Sequence, residues 1–356
     1  MKDSQIDFVC PAPVAAARAG GSPLVALEST LISHGLPHPE NIEVARGAEA
    51  AVRAAGAEPA TMAVIDGRPH AGLDDAAMER LATEGDVKKL SRRDLPVALS
   101  GAAGAPALGA TTVSATMILA RLAGIEIFAT GGIGGVHRGF EASMDVSADL
   151  FELAHTQMIV VCSGPKVILD LPRTREALET MGVTLVGYRT DDMPAFWARH
   201  SGLAVDLRAD SPQDIAAVAR ARAELGIGGS VLVCNPVTPD LAIDIDEIEG
   251  WIASCIDDAP AGAAATPWLL AEIARRSAGR SLAANKQHIP PSARQNAPRT
   301  SRACWRQSPT PYRRCQARPR SAPRPAAACV HSFRPMCSGA RHKSRQCGPE
   351  TDRRCG

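Results

Sequence analysis

The residue types able to do chemistry gather between Ile125 and Lys166. An apolar run, Ile125 to Ala129, passes into a glycine-dense turn, Gly131-Gly132-Ile133-Gly134-Gly135. A polar stretch with His137, Arg138, Glu141 and Asp145 follows. A second apolar run, Met158 to Cys162, delivers Lys166 just past its end, through Ser163-Gly164-Pro165. Five glycines between Gly131 and Gly139 would let the backbone approach an anion closely, with N–H groups turned toward it. The same glycines also suit a purely structural turn, because GGIGG fits neither the dinucleotide fingerprint nor the P-loop. Lys166 reads as a surface lysine or, at the carboxyl end of a strand, as an amine nucleophile able to form a Schiff base with a sugar carbonyl. Glu28 closes another apolar run, where it is either an exposed strand-end glutamate or a general acid–base. Asp145 and Asp149 stand four apart at a helix start, as dipole partners or metal ligands. His137 is a ligand, an acid or a polar loop residue, and Lys88, Lys89, Arg92 and Arg93 are a solvated face or a grip on phosphate.

These residues need strands and helices to hold them. Apolar runs at Pro23–Leu27, Thr61–Ile65, Ile125–Ala129, Met158–Cys162, Thr184–Gly187 and Ser230–Cys234 are too short for helices. Between them lie helical patterns, among them Asn41–Ala55 with Asn41 as N-cap, Asp74–Thr83, Thr112–Ala123 and Ser211–Leu225. A helix carrying Leu150, Leu153 and Ala154 on one face is expected after Ser147 or Asp145 as cap. Further helices are expected over Thr174–Met181, Asp244–Ser254 and Thr266–Ser277. Strands alternating with helices predict an α/β protein, with a largely parallel sheet covered on both faces. In such sheets ligands bind beyond the carboxyl ends of the strands.

Composition divides the chain. Residues 286–356 hold fourteen Arg and two Lys against Glu350 and Asp352, leaving the first 285 residues at −13 in a chain whose net charge is +1. That acidic body is rich in small apolar residues, and its four cysteines are scattered, which suits reduced thiols in a cytoplasmic protein. The N-terminus lacks the apolar core of a signal peptide, and no run approaches the 18 apolar residues of a membrane span.

Certain segments carry more than pattern. ALEST (Ala26 to Thr30), ISHG (Ile32 to Gly35), SRRDLP (Ser91 to Pro96) and GATTV (Gly109 to Val113) precede FATGGIGGVHRG (Phe128 to Gly139) and SADL (Ser147 to Leu150). NPV (Asn235 to Val237), TPW (Thr266 to Trp268) and SLAAN (Ser281 to Asn285) follow. Together, over residues 15–285, they resemble the pseudouridine-5′-phosphate glycosidase, or pseudouridylate synthase, family. The resemblance implies a three-layer α/β/α enzyme, a cytoplasmic homotrimer with one manganese ion per subunit. It implies reversible conversion of pseudouridine 5′-phosphate and water into uracil and ribose 5-phosphate, with no nucleic-acid or membrane partner. By motif, Lys166 matches the nucleophile, Glu28 the proton donor and Asp145 the manganese ligand. Lys89, Val113, Ser147, Ala148 and Asp149 match substrate-binding positions, joined by His137 and Asn285. The alternative from another class is an impaired phosphosugar-binding protein that lacks the family's last helix. Residues 1–14 are expected to be a flexible N-terminus. The segment Ser100 to Leu108 is longer than the family's usual link, which would disturb Lys89.

Residues 286–356 depart from the family pattern. Ten prolines, six cysteines and fourteen arginines there, with few Ile, Leu or Val, cannot build a core against chain entropy. The cysteines show no CxxC pairing, which argues against zinc. This stretch is expected to be a disordered basic tail produced by a frameshift near codon 286. Translation of the other two frames downstream of Asn285 is expected to restore an amphipathic helix of about 20 residues. If neither frame holds one, the frameshift is refuted.

Overall fold

A computed structural model describes residues 6–260 and 265–285. The tail from residue 286, with its expected disorder and frameshift, lies outside the described residues. The ordered chain starts earlier than expected. Val9 donates its N–H to Pro69 O and accepts that of Ala71, and α1 (Ala12–Gly20) follows, so residues 9–14 are not a flexible lead.

The first half alternates as the apolar runs imply. β1 (Leu24–Leu27) leads through α2 (Thr30–His34) and α3 (Glu40–Ala54) to β2 (Glu58–Ile65) and β3 (Arg68–Ala71). Then come α4 (Asp75–Thr83), β4 (Lys88–Leu90), α5 (Leu95–Leu99), β5 (Leu108–Thr111) and α6 (Val113–Leu122). The central block supplies β6 (Ile127–Ala129), α7 (Phe140–Ser143), α8 (Ala148–His155) and β7 (Ile159–Cys162). The remainder is α9 (Leu171–Thr180), β8 (Thr184–Tyr188), β9 (Leu207–Ala209), α10 (Pro212–Glu224), β10 (Val231–Cys234), α11 (Ile245–Ala253) and α12 (Ala265–Arg276). Local chemistry sets several starts. Asp74, Ser147 and Asp244 cap their helices, and Ser211 closes a reciprocal capping box with Asp214. Asn41 is not the cap of α3. Pro39 is, and the Asn41 amide is buried, donating to Ile32 O and Ala82 O.

Ten strands form one sheet in the order β4-β5-β2-β1-β6-β7-β10-β8-β9, with β3 paired to β2. From β2 through β9 along that order the neighbours run parallel. The exception is an extension, unforeseen from the sequence, in which β2 runs antiparallel to β3 and β5. The carboxyl ends of β5 and β1 therefore meet: Ser29 Oγ and Thr111 Oγ1 both donate to Met62 O.

Side-chain alternation divides the core into two layers. Ala26, Phe128, Val160 and Leu232 face one side with buried residues of α6 and α8. Val25, Leu27, Ile127 and Ala129 face the other with Ala48 and Val52 of α3. Ile159, Val161, Val231 and Val233 continue that second face with Ile215 and Ala219 of α10. Helices on both faces make the expected α/β/α arrangement. Among the described residues no helix is long and apolar enough to cross a membrane.

Candidate active site

At the carboxyl edge, three strands release their chains side by side: β1 into Glu28, β6 into Thr130 and the glycine run, β7 into Lys166. The β6–β7 pairing continues past the strands. Ser163 N bonds Gly131 O, Ile133 N bonds Gly164 O, and Lys166 N bonds Ile133 O at 3.0 Å. The nucleophile candidate is thereby fastened to the glycine run, with its side chain half-buried.

Glu28 is also half-buried. Thr30 donates to its Oε2 at 2.7 Å, and the fully buried Thr130 donates to its Oε1. Lys89 lies within electrostatic reach of Lys166, Asp149 and Glu28, so the structure gathers these four. Much of the Lys89 side chain remains open to the cleft, yet enough protein surrounds its ammonium that burial lowers its pKa. Repulsion from Lys166 adds to that lowering, and attraction from Asp149 and Glu28 opposes it. The rest of the basic cluster turns elsewhere. Lys88 pairs with Asp86, Arg93 with Asp94, and Arg92 with buried Glu152 while lying over the Phe151 ring. The longer link at Ser100–Leu108 does not displace Lys89, which keeps register opposite Ala110.

The buried Asp149 carboxylate joins two segments. Its Oδ1 accepts Ser114 N and its Oδ2 accepts Gly134 N, both at 2.9 Å. Its own N–H is capped by Ser147. The carboxylate thus braces these two segments together. Val113 and Ala148 are the first residues of α6 and α8, with apolar side chains; what they offer a ligand is their main-chain N–H groups, which have no intrahelical acceptor. Two helix N-termini held beside a lysine suit a phosphate.

Packing around the glycine run supports the reading of it as a structural turn. A Cβ on Gly132 would lie 2.6 Å from the Phe196 ring, one on Gly134 2.5 Å from Ser147 Cβ, and one on Gly135 2.6 Å from Thr174 Cγ2. The N–H groups of Ile133, Gly134 and Val136 already bond Gly164 O, Asp149 and Thr174 Oγ1. The glycines make room for the protein's own side chains.

His137 and Asp145 share a short loop closed by the Val136–Val146 bridge. Their backbones bond, and His137 Nδ1 is 3.9 Å from Asp145 Oδ2. Asn285 does not reach the four clustered residues directly; its Oδ1 accepts from buried Trp197 Nε1 at 2.7 Å. Trp197 neighbours Phe196, which packs on Gly132, so Asn285 supports the wall of the site. Three residues here had no expected role. Arg138 bonds the carbonyls of Val167 and Ile168 and pairs with Glu249 on α11 at 2.6 Å. His34, its pKa lowered by burial and then by Lys89, borders the cleft beside Ser33. Thr130 holds Glu28. All three lie inside quoted motifs, but no spacing rule marks them.

The fold and this edge define an α/β protein whose cleft presents helix N-termini and a pair of lysines, groups suited to a phosphate. A family model described as Indigoidine synthase A like protein matches residues 13–299, and the chain belongs to that family. Among curated relatives, the pseudouridine-5′-phosphate glycosidase of Methylobacterium nodulans is 52% identical over 276 residues, covering 76% of this chain and 81% of that one. That of Solibacter usitatus is 52% identical over 270 residues, covering 75% and 89%. The solved prealnumycin C-glycosynthase AlnA, in complex with ribulose 5-phosphate, superposes with a TM-score of 0.74 at 39% identity, covering 82% of this chain and 94% of that one. An indigoidine synthase A-like protein of Thermotoga maritima gives 0.77 at 32% identity, covering 85% and 99%.

Gly164 offers a direct check on how Lys166 is placed. It has φ +95°, and an added Cβ would lie 2.7 Å from the carbonyl carbon of Pro194. Gly164→Ala should lower stability by about 2 kcal/mol or more, read from the urea midpoint. An unchanged midpoint would show that the turn before Lys166 is not constrained in this way.

Proposed function

We propose that the protein is a pseudouridine-5′-phosphate glycosidase, reversibly converting pseudouridine 5′-phosphate and water into uracil and ribose 5-phosphate. One observation carries the reading: Lys166, Glu28 and Lys89 converge where two helix N-termini are presented, on a chain about half identical to proteins of that name. The 5′-phosphate would sit against Lys89 and the N–H groups of Val113 and Ala148, with Ser147 beside them.

The bond to be broken joins ribose C1′ to uracil C5, so no glycosidic nitrogen is available for protonation. Glu28 assists opening of the ribose ring by giving a proton to the ring oxygen, which leaves C1′ electrophilic. The Lys166 amine adds at C1′, and the Glu28 carboxylate takes a proton from the ammonium so formed. Passing that proton to C5 lets the C1′–C5 electron pair leave with uracil, and the sugar remains on lysine as an imine. Water adds to the imine carbon, and the C–N bond breaks to release ribose 5-phosphate and the free amine.

Manganese belongs to the same proposal. Asp145 presents a half-exposed carboxylate beside His137, and no group of three metal-ligating side chains occurs among the described residues. A single carboxylate completed by water or substrate oxygens fits a hard, loosely held divalent cation. When bound, such an ion supplies positive charge to oxygens of the substrate. A homotrimer is carried by the family resemblance. The free state of all four cysteines among the described residues supports a reducing, cytoplasmic setting.

Two measurements test this reading. Borohydride added with ribose 5-phosphate should trap a sugar adduct on Lys166, and Lys166→Ala should abolish trapping and lower turnover about a thousandfold or more. Substantial uracil release by the alanine variant would sink the lysine mechanism. Chelation should remove activity without unfolding, and Asp145→Ala should weaken manganese binding measured by water-proton relaxation. Full turnover in excess chelator would remove the metal from the reaction.

A further inference from the structure

Glu28 sits at the open edge of the sheet, but its orientation does not depend on solvent. The pairing of Leu27 with Ala129 places Glu28 and Thr130 side by side, one residue past the end of both strands. Parallel neighbours at one level project to the same face, here the face covered by α6 and α8. Thr130 is fully buried, with its N–H fixed on Val161 O. Its branched Cβ leaves few rotamers, so the hydroxyl has a set direction. That hydroxyl donates to Glu28 Oε1, and Thr30 donates to Oε2 at 2.7 Å. No basic side chain pairs with Glu28 among the ion pairs of the described residues, although Lys89 lies within electrostatic reach. Two neutral hydroxyls, one to each oxygen, therefore fix the carboxyl plane.

Resting on the lysine-imine reading above, we infer that Thr130 is a positioning residue for proton transfer by Glu28, with Thr30 as the second half of the clamp. A proton donor must hold one geometry and then carry negative charge. Donors already aimed at both oxygens stabilise that charge without reorganisation at the moment of transfer. A hydroxyl also accepts, so it rotates to receive the proton of the neutral acid, which an arginine or lysine partner cannot do. An ion pair in the same place would hold Glu28 permanently as the anion and remove it as a donor. The clamp therefore acts on the chemical step rather than on substrate affinity.

The test compares Thr130→Val, Thr130→Ser and Thr30→Val with the unaltered full-length chain, with manganese present, following uracil release and thermal melting. Thr130→Val should lower kcat about tenfold or more with KM nearly unchanged, as expected for losing one hydrogen bond to a charged group. Thr130→Ser should restore most of the rate, and Thr30→Val should lower kcat in the same direction. A Thr130→Val variant that keeps the wild-type kcat, or whose defect lies in KM alone, overturns the proposal. If Thr130→Val does not fold, Thr30→Val and Thr130→Ser decide: a wild-type kcat for Thr30→Val overturns it, and a lowered kcat beside an active Thr130→Ser upholds it. Failure of the unaltered chain to release uracil refutes the glycosidase reading itself. A fully active Thr130→Val in an active background refutes only the clamp.

Discussion

Much of the site depends on where one carboxylate goes. Asp149 is nearly inaccessible to water, and no arginine or lysine forms an ion pair with it among the described residues. Burying a charge is costly unless hydrogen bonds replace the lost water. Here the replacements are backbone N–H groups from two segments distant in sequence, Ser114 at the start of α6 and Gly134 in the glycine run. Both are charge-assisted bonds, and both helix N-termini favour a negative group. The brace fixes α6, α8 and the turn after β6 relative to one another.

The glycine run follows from that brace. For Gly134 N to reach Asp149, the turn must pass within contact of Ser147, and any side chain on Gly134 would collide with it. Gly132 and Gly135 answer to Phe196 and Thr174 in the same way. The wall behind them then continues outward. Phe196 leads to Trp197, and Trp197 donates to Asn285, so the last described residue is tied through packed aromatics to the turn that carries Lys166. Loss of Asn285 would remove the acceptor of the Trp197 N–H and so loosen the wall.

The central block was legible because short β-branched runs between capped helices leave little choice of fold. Ser147 and Ser211 mark their helices by side-chain chemistry alone. The antiparallel extension was not legible. β3 reads RPHA, with a proline and a charged residue in four positions, and its strand character comes only from pairing with β2. Asn41 failed as a cap for a related reason: its amide is claimed by carbonyls of Ile32 and Ala82, which no local pattern foretells. Asp149 showed its helix position in the sequence, but not its burial or its two distant N–H partners. The glycines left two readings open because close approach to a ligand and close approach to a neighbouring side chain require the same residue.

The charge balance of the cleft indicates what completes it. Glu28, Lys89, Asp149 and Lys166 nominally cancel, but Asp149 already has its charge solvated by two N–H groups, and Glu28 by two hydroxyls. Lys89 therefore faces Lys166 with neither carboxylate bonded to it, and burial together with that repulsion lowers its pKa. Cys162 and Cys234 pair in register across β7 and β10, and the hydrogen bond with Cys162, together with burial, pushes the Cys234 thiol up. The protein's own groups thus leave positive charge uncompensated at one place, between Lys89 and the N-termini of α6 and α8. A phosphate group there would oppose the lowering of the Lys89 pKa by burial and by Lys166. Under the proposed glycosidase reading, a phosphate held at Lys89 would place the charge that recognises the remote end of the substrate within electrostatic reach of Lys166, the residue proposed to act at C1′.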